Sequence, residues 1–290
     1  MANLTLPNFF IIGAAKAGTT ALYHYLHEHP DVFMSPIKET NYFAYEGEGK
    51  QYHYLGPRSR PQFPVTDPAE YQDLFANAGD AAAVGEASPL YLESPVAAAR
   101  IQAEIPDARI VVSLRNPADR AFSGYLMHVR ASRAKWDLEN AFPTEAHYVQ
   151  VGFYHARLQR YFDRFPAERI KVLLFEDLRR DSAAVMRELY SFLGVDPSFT
   201  PAVAARHNVG GYPRRRFLHG LLSNTGLRNK LEPMTPSWLI RRLEQLRRRN
   251  YQAPPPFPAA VRSRLLETYR EDIVRLQELI GRDLSGWLTD

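Results

Sequence analysis

A short glycine-containing segment near the N-terminus has the composition of a loop that binds an anion. Residues Gly13 to Thr20 read GAAKAGTT, follow an apolar run and lead directly into a helical pattern. Small residues let the backbone bend around an anion, the amides at a helix N-terminus are free to donate, and Lys16 adds a full positive charge. The segment is not a Walker A loop, because Lys16 precedes Gly18 instead of following the second glycine. The chemistry expected here is the binding of a phosphate or a related anion.

A second cationic group is predicted in the middle of the chain. The apolar run Ile110 to Leu114 leads into Arg115, and an Asn-Pro turn then opens a helix that carries Ser123 about two turns later. Arg115 is therefore expected at the carboxyl end of a buried strand, which is where ligands bind in open parallel sheets. A guanidinium offers paired donors to a phosphate, and a serine hydroxyl can complete the set. The sequence thus supplies two cationic sites at strand ends.

The elements that must position these groups alternate between strands and helices. Four continuous apolar runs predict strands that are buried on both faces, and apolar spacings of three and four indicate amphipathic helices between and after them. This order predicts a three-layer α/β fold, with a central parallel sheet flanked by helices. The predicted strands are Phe9 to Ile12, Ala83 to Gly85, Ile110 to Leu114 and Ile170 to Phe175. The predicted helices are Thr20 to His29, Val96 to Ile105, Ala118 to Arg130, Tyr154 to Phe165, Ser182 to Leu193 and a last helix over 259–282.

Two segments stand apart from this alternation within what we predict to be one domain over 1–290. Residues 46–69 show no periodicity and are expected to form a long loop or insertion. Residues 206–253 form a basic segment, in which the stretch from Arg206 to Arg249 contains eleven Lys or Arg and two Glu, a local charge of +9. Such a charge favours an anionic ligand, and we expect this segment to cover a cofactor or a substrate.

The composition is that of a folded protein with a sizeable core. The chain has 290 residues, of which 45 % are hydrophobic and 23 % charged, and it contains no cysteine. No run approaches the ~18 to 20 apolar residues of a membrane span, so no span is expected, and without a recognisable signal peptide the expected location is cytoplasmic. The lack of cysteine excludes disulfides, zinc–thiolate sites and thiol nucleophiles. Any catalysis must use oxygen or nitrogen side chains.

Motifs along most of the chain resemble a known family. The two longest are FFIIGAAKAGTTALYHYLHEHPDV and IVVSLRNPADRAFSGYLMH, and KETNYF, GEASPLYL, VGFYHARLQRYFDRFP, LLFEDL and GRDLSGW occur in the family's order. They resemble the sulfotransferases that use 3′-phosphoadenosine 5′-phosphosulfate (PAPS), in particular the glycosaminoglycan (heparan sulfate) type and its bacterial relatives. The resemblance implies a P-loop-like α/β domain that transfers a sulfuryl group to a hydroxyl or an amine and releases 3′-phosphoadenosine 5′-phosphate (PAP).

The resemblance also implies which residues hold the donor. The 3′-phosphate is expected on Arg115 and Ser123, at the second cationic site. In this family a late basic loop closes over the cofactor, and Arg214 in HNVGGYPRRRF is the candidate here, although the Lys-Gly-Arg wording of the glycosaminoglycan branch is absent. The 5′-phosphosulfate end is expected on Lys16, Ala17, Gly18, Thr19 and Thr20.

Three residues are candidates for the catalytic steps. Lys16 is expected to donate a hydrogen bond to the bridging oxygen as the bisphosphate leaves. The resemblance indicates Glu39 of KETNYF as the base that takes the acceptor proton, unless it only forms an ion pair with Lys38. Glu86 of GEASPLYL, at the end of the second predicted strand, is expected to face the same crevice as a base or an acceptor-binding group. No metal site is required, because a sulfuryl group carries less negative charge than a phosphoryl group.

Other functions are compatible with parts of the pattern. A P-loop nucleotide kinase would share the sheet and the anion loop, but it needs a lysine after the second glycine and a metal site. A polyanion-binding module built on 206–249 would leave Gly13 to Thr20 unexplained, and no nucleic-acid partner is predicted. A cofactor-binding protein without activity would have no need for the combination of Lys16, Glu39 and Arg115. The acceptor, which could be a carbohydrate, a lipid-linked sugar, a polyketide carrier or a small alcohol, stays open, and so does the oligomeric state.

Overall fold

The computed structural model describes residues 6–45, 65–131, 133–134, 136–202, 212–213, 251–252 and 255–289. The strands are β1 (Phe9–Gly13), β2 (Val32–Met34), β3 (Ala83–Ala87), β4 (Arg109–Leu114), β5 (Ile170–Leu174), β6 (Tyr212–Pro213) and β7 (Tyr251–Gln252). The helices are α1 (Thr19–His27), α2 (Tyr42–Tyr45), α3 (Pro68–Asp73), α4 (Leu90–Glu93), α5 (Ala97–Glu104), α6 (Pro117–Arg130), α7 (His147–Gln150), α8 (His155–Phe162), α9 (Phe175–Arg180), α10 (Ser182–Leu193) and α11 (Ala259–Ile280). Short 3-10 helices lie at Ala167–Arg169 and Ser285–Trp287.

The first five strands form one parallel sheet in the order β2-β3-β1-β4-β5. Strand β1 is central, with β3 on one side and β4 on the other. The chain therefore reverses its direction of winding beside β1, and the carboxyl ends of β1, β3 and β4 border one crevice. The predicted fold, an α/β domain with a central parallel sheet between helices, is confirmed.

The two faces of the sheet pack against separate helical layers. Phe10 and Ile12 of β1 belong to a core shared with the layer that contains α5, α6 and α11. Phe9 and Ile11 point to the opposite face, against α1 and α10. The layers fit closely enough that a Cβ at Gly85 would lie 2.3 Å from the Phe9 ring, so β3 needs glycine there. Gly85 pairs with Phe9 in the register of β3 against β1, which places Glu86 beside Phe10.

The predicted strands and helices are found with shifted ends, but several short elements were not predicted, namely β2, β6, β7, α2, α3, α4, α7 and α9. The prediction missed β2, because an edge strand of three residues leaves too short an apolar run. Strand β3 runs to Ala87, two residues beyond the predicted end, so Glu86 lies inside a strand. The last helix ends at Ile280 because Gly281 adopts a φ of +61°, two residues before the predicted end. None of the described helices is long and apolar enough to cross a membrane.

The two unusual segments are described only at their edges. The predicted loop over 46–69 ends too late, because α3 begins at Pro68, where the Asp67 carboxylate accepts from the amides of Ala69 and Glu70. Residues 46–64 lie outside the described part of the chain. In the basic segment over 206–253, β6 pairs antiparallel with β7. The stretch 214–250, with Arg214, also lies outside the described residues.

Candidate active site

The loop between β1 and α1 is held in place by its neighbours. Ser113, near the end of β4, accepts the Ala14 amide at 2.7 Å through its carbonyl and donates its hydroxyl to the Ala17 carbonyl at 2.6 Å. Gly18 has a φ of +90°, and a Cβ there would lie 2.9 Å from the Phe175 ring. A residue with a side chain would therefore both strain the backbone and meet the ring. The loop is rigid before any ligand arrives.

Among the described residues, no side chain accepts a hydrogen bond from the first-turn amides of α1. Its N-cap is Gly18, which has no side chain to accept a hydrogen bond, and no acidic residue lies in the first turn. The side chains of Ala17 and Thr19 are buried, so these two residues can offer a ligand only their backbone. An uncapped helix start with free amides attracts an anion. The amides of Gly18, Thr19 and Thr20 thus suit the predicted anion contact, whereas the Ala17 amide donates to the Ala14 carbonyl at 3.1 Å and is not available as a donor.

Lys16 stands in this loop in a left-handed conformation and in a strongly positive environment. Its φ is +71°, which is uncommon for a residue with a side chain and indicates a position fixed by the surrounding fold. Burial, together with the charges of Arg130, Arg115 and Arg120, lowers the pKa of its ammonium group from 10.5 to about 8. The Glu39 carboxylate acts in the opposite direction. Such a concentration of positive charge is stabilised when a multiply charged anion binds.

Arg115 lies directly beside the loop, at the carboxyl end of β4. Its Nη1 donates to the Lys16 carbonyl at 3.4 Å, and its guanidinium lies 4.8 Å from the centre of the Phe175 ring. Tyr154 donates its hydroxyl to the Arg115 carbonyl at 3.0 Å. Burial raises the pKa of that phenol to about 12, so the hydroxyl stays protonated and can donate this hydrogen bond. The predicted pair of cationic groups, Lys16 and Arg115, is thus brought together at the ends of adjacent strands.

The helix after Arg115 begins as the Asn-Pro turn predicts. The Asn116 side chain caps α6 by accepting the amides of Ala118 and Asp119, and Pro117 occupies the first helical position. Asn116 also donates to the carbonyl of Trp287, which ties the C-terminal residues to this turn. Ser123 follows on α6 and is partly exposed. Arg115 therefore lies at the end of β4 and Ser123 on α6, and the capping contacts of Asn116 hold the turn between them in place.

Glu39 lies on the loop between β2 and α2, on the Lys16 side of the sheet end. Its amide donates to the Ala87 carbonyl at 2.9 Å, and its φ is +66°, a second left-handed residue with a side chain. Lys38 contacts it at 2.5 Å, between Nζ and Oε1. The ion pair that the sequence allowed is therefore present, but it is partly enclosed, with 18 % of the Lys38 and 32 % of the Glu39 side chain exposed. Glu39 remains accessible to a ligand in the crevice.

Glu86 does not face the crevice as expected. Its side chain is fully buried, and its two carboxylate oxygens accept hydrogen bonds from four hydroxyl groups. The expectation of an accessible carboxylate is wrong because β3 continues past Glu86 and because side chains of α2, α3 and α4 cover it. Burial raises the pKa of Glu86, and the hydrogen bonds act against that shift. The donors are Thr40, Tyr71, Ser88 and Tyr91.

Two arginines near Lys16 were not selected from the sequence. Arg120 is only 2 % exposed and donates from Nη2 to the Tyr148 carbonyl, and Arg130 ends α6. Both lower the pKa of Lys16 by their charge. Their spacing was a usable signal, because Arg120, Ser123 and Arg130 fall on one face of a helix at intervals of three and seven residues. Among the described residues, no group of three or more His, Asp or Glu side chains is placed to hold a metal ion.

Comparisons with known proteins show the family of this chain. Residues 7–201 match the profile of a family described as "Sulfotransferase family". Bifunctional heparan sulfate N-deacetylase/N-sulfotransferase 2 of Bos taurus is 32 % identical over 212 residues, which are 66 % of this chain and 22 % of the relative. N-deacetylase/N-sulfotransferase 1 of Xenopus tropicalis is 29 % identical over 98 % of this chain and 31 % of the relative. The chain thus spans less than a third of these relatives.

A solved structure is similar over its whole length. The crystal structure of a sulfotransferase from Alicyclobacillus acidocaldarius has a TM-score of 0.71 and 31 % identity, and the match covers 98 % of this chain and 100 % of that one. The family match at residues 7–201 contains Lys16, Glu39, Arg115 and Ser123, and it ends before Arg214. The matched region therefore includes the sheet end where the described cationic groups meet.

Proposed function

Because this chain belongs to the sulfotransferase family, we propose that it transfers the sulfuryl group of PAPS to a hydroxyl or an amine of a carbohydrate or small-molecule acceptor. The observation that carries this proposal is the placement of Lys16 and Arg115 at the ends of adjacent strands, with the Glu39 carboxylate close enough to act on the charge of Lys16. A donor with two anionic ends needs two cationic groups, and a transfer to a neutral acceptor needs a nearby base.

The residues of this sheet end fit such a donor. The ammonium of Lys16 and the backbone amides of Gly18, Thr19 and Thr20 suit a phosphosulfate, because each is a donor and none brings a negative charge. The guanidinium of Arg115 and the hydroxyl of Ser123 suit a second phosphate. Arg214 is proposed as a further contact from the family resemblance alone, since it lies outside the described residues.

The donor supplies the group that is transferred, and two residues of this chain assist the transfer. When bound, the donor supplies an activated sulfuryl group, whose bond to a phosphate oxygen breaks as the bond to the acceptor oxygen or nitrogen forms. Lys16 in its protonated form donates to the phosphate oxygen that gains negative charge. The Glu39 carboxylate accepts the proton that the acceptor loses. Glu86 is not assigned the role of base, because it is enclosed and already accepts four hydrogen bonds.

The relatives suggest where to look for the acceptor. Two curated relatives are named for heparan sulfate N-sulfotransferase activity, but this chain spans only 22 % and 31 % of their lengths. We therefore propose an amine or hydroxyl of a sugar as the first acceptor class to screen. Glucosamine-containing oligosaccharides, a neutral sugar series and small alcohols, each incubated with sulfur-labelled PAPS, form a suitable panel.

Donor binding tests the proposal before any acceptor is known. Titration calorimetry with PAP should give saturable binding without magnesium, and 5′-AMP, which lacks the 3′-phosphate, should bind at least about tenfold more weakly because it loses a charge-assisted contact. ATP with magnesium serves as the test for the kinase alternative. Binding of ATP with magnesium in preference to PAP, or no heat with PAP at all, would contradict the proposed function.

A further inference from the structure

We propose that the buried carboxylate of Glu86 is a positioning residue that fixes the base Glu39 through three hydroxyl groups. This inference rests on the proposed function, in which Glu39 accepts the acceptor proton, and goes beyond it by assigning the group that sets its place. The three hydroxyls belong to Thr40, Ser88 and Tyr91. Each bonds to Glu86 on one side and to the backbone that follows Glu39 on the other.

The backbone after Glu39 depends on these hydroxyls for its hydrogen bonds. The amide of Asn41 donates to Ser88 Oγ at 3.1 Å, and the amide of Phe43 donates to the Tyr91 hydroxyl at 3.3 Å. The intervening amide of Tyr42 donates to Thr40 Oγ1 at 3.4 Å. Three consecutive buried amides at the start of α2 are therefore bound by side-chain oxygens instead of carbonyl groups. Buried amides without hydrogen-bond partners are costly, so the positions of these hydroxyls determine the conformation of this backbone.

Glu86 determines which way those hydroxyls face. A hydroxyl has one proton and two lone pairs, and an ionised carboxylate can only accept. Ser88 donates to Oε2 at 3.0 Å and Tyr91 donates to Oε1 at 2.7 Å, while Thr40 also donates to Oε2. With their protons directed at Glu86, the hydroxyls present only lone pairs to the backbone. A side chain that also donated would reverse some of them and set two donors against each other.

The conformation of Glu39 explains why such anchoring is needed. Glu39 and Asn41 have φ values of +66° and +54°, and residues with side chains keep the left-handed region only when the surroundings hold them there. The Glu39 amide donates to the Ala87 carbonyl at 2.9 Å, and the Asn41 side chain donates to the Glu39 carbonyl at 3.1 Å. Ala87, the residue directly after Glu86, therefore binds the amide of Glu39, and Asn41, whose own amide is bound by Ser88, binds its carbonyl. Loss of the anchor should let this loop relax away from Lys16.

Two tyrosines provide a matched pair of variants. Tyr71 and Tyr91 both donate to Glu86 Oε1, at 2.8 and 2.7 Å, and both are fully buried. Tyr91 also accepts a backbone amide of the loop, whereas the hydroxyl of Tyr71 is bound to Glu86. Tyr71→Phe and Tyr91→Phe thus remove the same group from the same oxygen, and only the second also removes a loop contact. A role in folding alone predicts equal effects from the two variants.

The first experiment measures exchange of backbone amides in the full chain without a ligand. Tyr91→Phe should speed hydrogen exchange of the amides over 39–43 by at least about tenfold relative to Tyr71→Phe, while the melting temperatures of the two variants fall by similar amounts. Thr40→Val and Thr40→Ser form a second pair, in which only valine removes the hydroxyl. Equal exchange in Tyr71→Phe and Tyr91→Phe would overturn the inference without the use of any substrate.

The second experiment measures turnover with labelled PAPS and the best acceptor of the panel. Tyr91→Phe and Thr40→Val should lower kcat by about 10- to 100-fold with KM and the PAP affinity nearly unchanged, because a misplaced base affects the transfer and not the binding of the donor. Tyr71→Phe and Thr40→Ser should stay within about threefold of the unchanged protein. When Thr40→Val is added to Glu39→Gln, kcat should fall little further, since the base that Thr40 helps to position is already absent.

Failure of the inference can be told apart from failure of the proposed function. If the unchanged protein binds no PAP and transfers no label, the proposed function is contradicted. If the unchanged protein turns over and Tyr91→Phe matches Tyr71→Phe in kcat, only the positioning role of Glu86 is contradicted. Glu86→Gln, which replaces one acceptor oxygen by a donor, should behave like Tyr91→Phe or worse if it folds.

Discussion

The two sides of the crevice are completed in different ways. The donor side consists of residues 13–20 together with Arg115, and the base side consists of residues 38–43 together with Glu86. On the donor side, burial and the positive groups around Lys16 depress its pKa, and the N-cap of α1, Gly18, has no side chain to cap the helix. On the base side, four hydroxyls satisfy a buried carboxylate, and three of them bind the loop.

The difference indicates which side is suited to bind a ligand. A cluster of like charges with free amides becomes more stable when an anion binds, so the donor side is prepared for a partner from outside. The base side is already satisfied within the protein, and its network holds a single carboxylate, Glu39, at the edge of the crevice. Preorganisation of both kinds lowers the cost of arranging groups during the reaction. Variants that change one side at a time test this difference between the two sides.

The largest effect is expected from the base side. Glu39→Gln keeps the shape of the side chain but removes its ability to take a proton, so turnover should fall by about 10²- to 10⁴-fold. The affinity for PAP should stay nearly the same, because Glu39 is not proposed to touch the donor. Turnover with labelled PAPS and calorimetry with PAP give the two readouts. Glu188→Gln, in an exposed ion pair with Lys171, is the matched control and should change neither.

A smaller loss of turnover, with a loss of binding, is expected on the donor side. Lys16→Met removes the ammonium group and should lower kcat by about 10²- to 10³-fold, and it should weaken PAP binding as well. The same two measurements apply, with Lys171→Met as the control at a partly exposed position on β5. If Lys16→Met lowered turnover no more than Lys171→Met does, the donor side would have to lie elsewhere.

Arg115 should affect recognition of one end of the donor. Arg115→Met is expected to weaken PAP binding by about 10- to 100-fold, which is the value of a hydrogen bond to a charged group. It should leave the weaker binding of 5′-AMP nearly unchanged, because that ligand has no 3′-phosphate. Calorimetry with both nucleotides measures the ratio. The ratio should stay as in the unchanged protein for Arg270→Met, whose guanidinium forms an exposed ion pair with Glu267.

The smallest effect is a dependence of donor binding on pH. The pKa of Lys16 is about 8, so the ammonium form that attracts the donor predominates at pH 7, falls to about half at pH 8 and is lost as the pH rises further. The affinity for PAP should therefore fall above pH 8, by at most about tenfold per unit. Calorimetry at pH 7 and 9 in buffers of different ionisation enthalpy should detect proton uptake at pH 9. Lys16→Arg, which keeps its charge, should remove that uptake.

The fold and the placement of Lys16 and Arg115 could be predicted from the sequence because local signals determine them. Buried apolar runs and helical spacing are enough to predict the parallel sheet, and a lysine among small residues before a helix is a recognisable anion loop. The pairing of β1 with β4 places Lys16 and Arg115 at adjacent strand ends. Ligands bind at such strand ends in open parallel sheets. Short elements such as β2 gave no comparable signal.

The state of Glu86 could not be predicted in the same way. A carboxylate near the end of a strand is consistent with an exposed base and with a buried anchor. The choice depends on Thr40, Tyr71 and Tyr91, which lie far from Glu86 in the sequence or on other elements. Local periodicity does not say which hydroxyls will surround a carboxylate. The positive φ of Glu39 is likewise set by contacts across the fold.

A crystal structure of the chain with PAP tests the central claim most directly. We predict the 5′-phosphate against the ammonium of Lys16 and the amides of residues 18–20, and the 3′-phosphate against Arg115 and Ser123. The Glu39 carboxylate should face the empty position beyond the 5′-phosphate, where the sulfuryl group and the acceptor would meet. A map in which one nucleotide fails to span both cationic groups, or in which Glu39 points away from the 5′-phosphate, would contradict this arrangement.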